Sequence, residues 1–277
     1  YTMEQAGLGF DDLSAVACTI GPGLVGALVV GVAFAKGLCF ATGLPFIGVN
    51  HLEGHLYANR YVDPTLEPPF VALLVSGGHT MLVHVRGWGD YEVLGSTLDD
   101  AVGEAFDKVA KALELGYPGG PVLSRYAKDG DAKAIAFPRA MMHSGDLRFS
   151  LAGLKTSVIT YINEQNKAGM SIDIPDLAAS FTAAVVDVLV AKSLDACKQT
   201  GSRVLCIGGG VAANPDLREA LAASLGKRGI RVIMPELSDC ADNASMIASV
   251  GLDLFEAGER TGLDADPQAH LPLRTRE

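Results

Sequence analysis

The sequence predicts an α/β protein, and three observations carry that reading. Short apolar runs rich in β-branched residues alternate with longer helical patterns. Some of those runs pass straight through a glycine cluster into a helix, the arrangement that places ligands at the C-terminal ends of strands. The 277 residues are 49% hydrophobic, enough to enclose a substantial core in one large domain or two. In chain order, Ala15 to Thr19 reads as a strand, Leu24 onward as a helix, and Phe46 to Val49 as a strand. Phe70 to Val75 pairs with Met81 to Val85, and a helix follows over Asp99 to Leu115. Gly and Pro cluster over Gly116 to Ser124, which predicts a hinge between lobes. Lys128 to Asp146 is poor in periodicity and reads as loop with a short helix. A helical region over Asp176 to Thr200, a strand at Val204 to Ile207, a helix at Pro215 to Leu225 and a strand at Arg231 to Met234 complete the pattern.

Composition narrows the function classes. Leu24 to Leu44 comes nearest to a membrane span, but Gly26, Gly31, Lys36, Gly37 and Gly43 interrupt it, and it reads as a buried helix. Five scattered cysteines form no C-x-x-C pair, which points away from a zinc knuckle or a disulfide framework and toward a reducing, cytoplasmic compartment. The formal charge of −10 argues against a free-standing nucleic-acid binder. A local basic cluster of Arg203, Arg218, Lys227, Arg228 and Arg231 remains, and its bland account is a solvated face. The chain opens on Tyr1 with a helical pattern already under way at Met3 to Leu8, so it reads as beginning inside a longer product.

Four constellations carry chemistry. His51-Leu52-Glu53-Gly54-His55 follows a strand. On a helix the two histidines lie within about 40° of each other, which suits two imidazoles on one metal, whereas Glu53 sits roughly 200° from His51. That placement makes Glu53 a poor metalloprotease base. Asp242, in Ser238 to Asn243, is the third ligand candidate, or else an N-cap for the helix that runs through Ala248. Two histidines and a distant carboxylate with open positions suit Fe(II) or Zn(II) rather than Ca or Mg.

Ser76-Gly77-Gly78-His79-Thr80 lies between two strands, where paired glycines present backbone N–H groups to a phosphate or form a plain hairpin turn. Gly208-Gly209-Gly210 leads to Asn214 at an N-cap and Pro215 at N1, a shelf for a flat base with Asn214 near its sugar or base edge. Between these loops a helix capped by Thr97, with Asp100 at N3, aligns Asp100, Gly103, Glu104, Asp107 and Lys111 on one face. That stripe is either a solvated face or a path into Tyr117-Pro118-Gly119-Gly120-Pro121, with Asp107 accepting ribose hydroxyls.

Taken together, Gly21-Pro22-Gly23-Leu24, His51 to His55, Ser76 to Thr80, Gly103 to Lys108, Tyr117 to Pro121, Gly153-Leu154-Lys155-Thr156, Gly208 to Asn214 and Asp242-Asn243 resemble one family in content and order. It is the tRNA threonylcarbamoyladenosine transferase family, TsaD, formerly labelled O-sialoglycoprotein endopeptidase. The resemblance implies an actin-like, sugar-kinase-like two-lobed fold, with residues 1–120 in a first lobe and 121–277 in a second. Residues 242–260 would pack back toward the metal site, and the family's N-terminal strand hairpin with its acidic motif would lie outside this chain.

The resemblance also implies His51, His55 and Asp242 as ligands of one iron or zinc ion. It implies Leu74, Val75, Ser76, Gly77, Gly78, Asp107, Gly120 and Asn214 as holders of threonylcarbamoyl-AMP. The implied reaction moves the threonylcarbamoyl group to the exocyclic amine of the adenosine beside the anticodon, in tRNAs reading codons that begin with adenine, and releases AMP. No protein nucleophile is required, and no residue is assigned to the amine proton. The implied partners are tRNA, a related scaffold subunit (TsaB-like) and an ATPase subunit (TsaE-like), with no membrane. Ala152 stands where the family more often has Ser. The rival readings are a non-catalytic scaffold of the same fold, a metalloprotease and a small-molecule kinase.

Overall fold

Apolar β-branched runs fit a pleated, half-buried surface, and here they become strands that end in glycine turns. In the computed structural model, which describes residues 2–273, the chain runs α1 (Thr2–Ala6), β1 (Val16–Gly21), α2 (Val25–Thr42), β2 (Phe46–Asn50), α3 (His51–Tyr57), α4 (Asn59–Val62), β3 (Phe70–Val75), β4 (Thr80–Gly87) and β5 (Asp90–Ser96). It continues through α5 (Val102–Ala112), α6 (Gly119–Ala127), α7 (Ala152–Lys167), α8 (Ile174–Thr200), β6 (Val204–Gly208), α9 (Pro215–Gly226), β7 (Arg231–Ile233), α10 (Leu237–Cys240) and α11 (Ala244–Glu256).

The chain divides into two compact units, residues 2–58 with 242–273, and residues 59–241. The division differs from the boundary expected at residue 120. β3 pairs in parallel with β6, Val71 beside Leu205 through Leu74 beside Gly208, so residues on both sides of position 120 share one sheet. Gly116 to Ser124 is accordingly no hinge: Pro118 is the N-cap of α6 and Gly119 opens the helix.

In the first unit β1 and β2 pair in parallel, Val16 beside Phe46 and Thr19 beside Val49. α11 packs against β1, β2 and α3, which ties residues 244–256 to the start of the chain. One stripe of α2, formed by Leu28, Val32, Ala35 and Cys39, is buried over Phe46, Val16, Cys18 and Ile20. The helix as a whole is not buried as expected. Leu24 just before it and Val30, Phe34 and Phe40 along it are each more than 70% exposed, because only the stripe that faces β1 and β2 is covered.

The second unit holds a five-stranded sheet in the order β5-β4-β3-β6-β7, antiparallel across β5, β4 and β3 and parallel across β3, β6 and β7. Every residue of β3 is buried, as expected for a central strand covered on both faces. α8 is long and apolar enough to cross a membrane by length and composition, as is α2, but α8 is 67% buried over that span. Its Phe181 meets Phe106 of α5 at a ring separation of 4.9 Å. The Asp173 side chain accepts from Asp176 N to start α8, and Gly201 at φ 73° ends it.

The cap of α5 also departs from expectation. Ala101 is its N-cap residue, and the orphan Val102 N–H is taken by Thr80 Oγ1 of β4 at 2.9 Å. Thr97 instead donates its hydroxyl to Asp100 O at 2.8 Å. Asp100, rather than closing a capping box, accepts from Lys108 and Lys155.

Candidate metal centre and nucleotide pocket

The candidate metal centre is built where β2 runs into α3. Asn50 caps α3, its side chain accepting from Leu52 N at 2.9 Å, and this sets His51 on the first turn and His55 on the next. The imidazole centroids lie 4.8 Å apart with planes 79° to each other. Asp242 arrives from the segment before α11. Its Oδ1 lies 3.3 Å from His51 Nε2 and 3.3 Å from His55 Nε2. One ligand atom from each of the three residues falls within 4.8 Å of the others.

Two features hold this register. Asn243 accepts from Met246 N and so caps α11, which leaves the Asp242 carboxylate outside the helix and removes its alternative role as the cap. Gly54 lies so close to α11 that a Cβ there would fall 2.9 Å from Met246 Cγ and 3.0 Å from Ile247 Cδ1. Hydrogen bonds from His51 and His55, opposed by burial and aided by their charge, hold the Asp242 carboxyl far below the usual carboxylate range.

The carboxylate lies at a single-ion separation from each imidazole. Two ligands about 2.1 Å from one metal, at angles between octahedral and tetrahedral, lie roughly 3.0–3.4 Å apart, and the Nε2–Oδ1 distances of 3.3 Å fall in that interval. Two imidazoles with one carboxylate is a set taken by Fe(II) and Zn(II). His55 is buried and the Asp242 side chain is 75% exposed, so the cluster is open on the carboxylate side. Glu53 is buried and is not part of the cluster.

The second unit contains a cavity of about 540 Å³, within the range of small-molecule sites. Gly77, Asp107, Gly120 and Asn214 line it, as do Phe106 and Ser124, which the sequence pattern did not single out. Ser124 lies one turn beyond Gly120, and its place would follow from reading Gly119 onward as helix. Asp107 Oδ1 accepts from Gly119 N at 2.7 Å, fixing the Tyr117 to Pro121 loop against α5. The Asn214 side chain is engaged twice, accepting from Leu217 N as the cap of α9 and donating Nδ2 to Ser124 Oγ at 3.0 Å. Gly209, at φ 92°, approaches Val75 O so closely that a Cβ would sit 2.4 Å away. That contact locks the two glycine loops together.

Leu74 and Val75 are buried in β3 and outside the cavity lining, so only their backbone could serve a ligand. Ser76 and Gly78 belong to the β3–β4 turn, closed by Ser76 N donating to His79 O at 2.8 Å, and they too lie outside the lining. Of the polar stripe on α5, Gly103 and Asp107 reach the cavity. Asp100, Glu104 and Lys108 form an ion cluster with Lys155, in which Lys108 Nζ lies 2.7 Å from Asp100 Oδ1 and 2.8 Å from Glu104 Oε1.

The profile of the TsaD family, described as tRNA N6-adenosine threonylcarbamoyltransferase, matches residues 1–249. A protein of that name from Clostridium botulinum (strain 657 / Type Ba4) is 48% identical over 274 residues, covering 99% of this chain and 81% of its own length. Another from Clostridium perfringens (strain SM101 / Type A) is also 48% identical, covering 98% of this chain and 81% of its own. Among solved structures, full-length HypF in its phosphate- and nucleotide-bound form superposes with a TM-score of 0.67 at 15% identity, covering 96% of this chain and 42% of that one. The (R)-2-hydroxyglutaryl-CoA dehydratase component A of Acidaminococcus fermentans gives 0.51 at 15% identity, covering 91% of this chain and 79% of its own. At such identities the likeness concerns the fold alone, and that fold is the actin-like, sugar-kinase-like one.

Proposed function

The chain belongs to the tRNA N6-adenosine threonylcarbamoyltransferase family, and from that premise we propose that it moves a threonylcarbamoyl group from threonylcarbamoyl-AMP to the exocyclic amine of the adenosine next to the anticodon in tRNAs that read codons beginning with adenine. The amine nitrogen attacks the carbamoyl carbon, a C–N bond forms, the C–O bond to phosphate breaks, and AMP leaves while the amine gives up one proton to solvent. The attacking amine is a weak nucleophile, so rate depends on orientation and on stabilising charge at the reacting carbonyl and the departing phosphate.

The observation that carries the reading is the convergence of His51, His55 and Asp242. These residues would hold one Fe(II) or Zn(II) ion, which when bound supplies positive charge to orient and polarise an acyl oxygen. A scaffold of the same fold has no use for such a set, and Glu53, outside the ligand cluster, is poorly placed as a metalloprotease base.

Within the second unit, Asp107 would accept ribose hydroxyls with the oxygen not bound to Gly119 N, and Gly77 would offer its backbone N–H to the phosphate, whereas the Gly78 N–H is turned to Ser76 Oγ. Gly120 would let the loop approach the nucleoside closely. Asn214 would act chiefly by bracing the cavity wall through Ser124. The formal charge of −10 favours helper subunits for tRNA capture, and we assign those roles to a TsaB-like scaffold and a TsaE-like ATPase in the cytoplasm.

The reading is tested by complementation. In a strain depleted of the native enzyme, full-length His51→Ala and Asp242→Ala proteins should restore less than about 1% of the modified nucleoside restored by wild type, as expected when a charge-stabilising group is lost. Mass spectrometry of tRNA nucleosides reads the result, with circular dichroism checking the fold. Restoration by both variants to the wild-type level would remove the metal from the mechanism.

A further inference from the structure

The structure resolves the basic cluster seen in the sequence into a smaller surface. Arg231 leaves it, because its Nη1 pairs with Asp63 Oδ2 at 2.5 Å. Arg218 leaves it as well, donating Nη1 to Ala212 O at 3.1 Å. Arg203 and Arg228 remain, and Lys198 at the end of α8 joins them around a cavity of about 650 Å³ that is also lined by His143 and Asp195. Lys227, the C-cap residue of α9, is the neighbour of Arg228.

What distinguishes Lys198, Arg203 and Arg228 is that they gather around one cavity and that none of them is paired with a carboxylate among the described residues. Among the described residues Arg86, Arg139, Arg148 and Arg231 each pair with a carboxylate. Lys198, Arg203, Lys227 and Arg228 have no such pair among the described residues. Arg203 Nη1 is steered only by the carbonyl of Arg228, at 3.3 Å. The C-terminal ends of α8 and α9 explain a cation each, since a helix C-terminus favours positive charge. They do not explain Arg203 and Arg228 beside them. Three cations around one cavity that holds a single carboxylate, Asp195, with Lys227 next in sequence to Arg228, make a surface suited to an external polyanion on a chain whose formal charge is −10.

The position separates this surface from the nucleotide pocket. Arg203 stands directly before β6 and Arg228 shortly before β7, at the N-terminal end of these parallel strands, whereas the Gly208 to Asn214 loop leaves the C-terminal end of β6. The two ends are on the order of 15 Å apart along the strand. A mononucleotide in the pocket cannot span that distance, but an extended nucleic acid can.

Resting on the proposed transferase activity, we infer that Lys198, Arg203, Lys227 and Arg228 form a docking surface for the phosphate backbone of the tRNA substrate, remote from the reacting base. Contacts of this type position the RNA without reading its sequence. The surface sets affinity and orientation and takes no part in acyl transfer.

The test uses the full-length enzyme with its partner subunits, comparing wild type with the triple variants Lys198→Glu/Arg203→Glu/Arg228→Glu and Lys198→Gln/Arg203→Gln/Arg228→Gln. The second keeps the measurement decisive if charge reversal disturbs folding. Direct tRNA binding should weaken by about tenfold or more in both, and the slope of log affinity against log salt should fall by roughly two to three. KM for tRNA should rise while kcat and adenylate binding stay at the wild-type values. Unchanged tRNA affinity and salt slope would overturn the inference, as would a loss confined to association with an acidic helper subunit. Binding is read apart from transfer, so the two readings can fail separately. A wild-type enzyme that binds tRNA through this surface yet transfers nothing would defeat the functional reading and leave the surface standing.

Discussion

Asp242 reaches two imidazoles because Asn243, one residue later, takes over the capping of α11. The His51 and His55 pair was legible from spacing alone, since residues four apart share a helix face. The third ligand was legible only as a candidate, because Asp242 is nearly two hundred positions away and equally suited in sequence to cap a helix, and the resemblance alone favoured the ligand role. Gly54 carried no signal at all, yet it decides how closely α3 approaches α11. Gly54→Ala should push α3 away from Met246 and Ile247, costing about 1–3 kcal/mol in stability as overpacking does. Thermal unfolding together with metal content checks this: the account predicts a lower midpoint and weaker metal retention, and unchanged values in both would contradict it.

At the scale of elements, the strands and helices that run through glycine clusters were legible because periodicity and turn chemistry agree there. β5 was not, since Asp90 to Ser96 is a partly polar edge strand with no apolar run. α7 was hidden by its mixed composition and by its start, which is organised from outside: Asp99 accepts from Ser150 Oγ, Leu151 N and Ala152 N. Burial raises the Asp99 carboxyl, but these hydrogen bonds outweigh it and leave the carboxyl below its usual range. A depressed folded-state value means that the stabilisation is fully present above the unfolded carboxylate range and is lost as pH falls through the folded-state value. Asp99→Ala should therefore cost about 1 kcal/mol at neutral pH, the size of a lost cap. Urea unfolding at neutral and acidic pH tests the sign: the difference between variant and wild type should shrink on acidification, and one that is constant or grows would contradict it.

On the scale of the whole molecule, the chain leaves its first unit after residue 58 and returns to it at residue 242, and the intervening residues form a unit of their own. The α/β class and the order of elements could be read from local pattern, whereas this division could not. It depends on β3 pairing with β6 across more than a hundred residues, and no local signal reports such a pairing. Each candidate site is complete within one unit: the three ligands in the first, and the cavity lined by Gly77, Asp107, Gly120 and Asn214 in the second. Metal binding should accordingly survive changes to the cavity. Elemental analysis of full-length protein purified without oxygen, for wild type, His51→Ala, Asp242→Ala and Asp107→Ala, measures this directly. The account predicts about one iron or zinc per chain in wild type and Asp107→Ala and close to none in the other two, as expected for a three-ligand site; equal metal content in all four would contradict it.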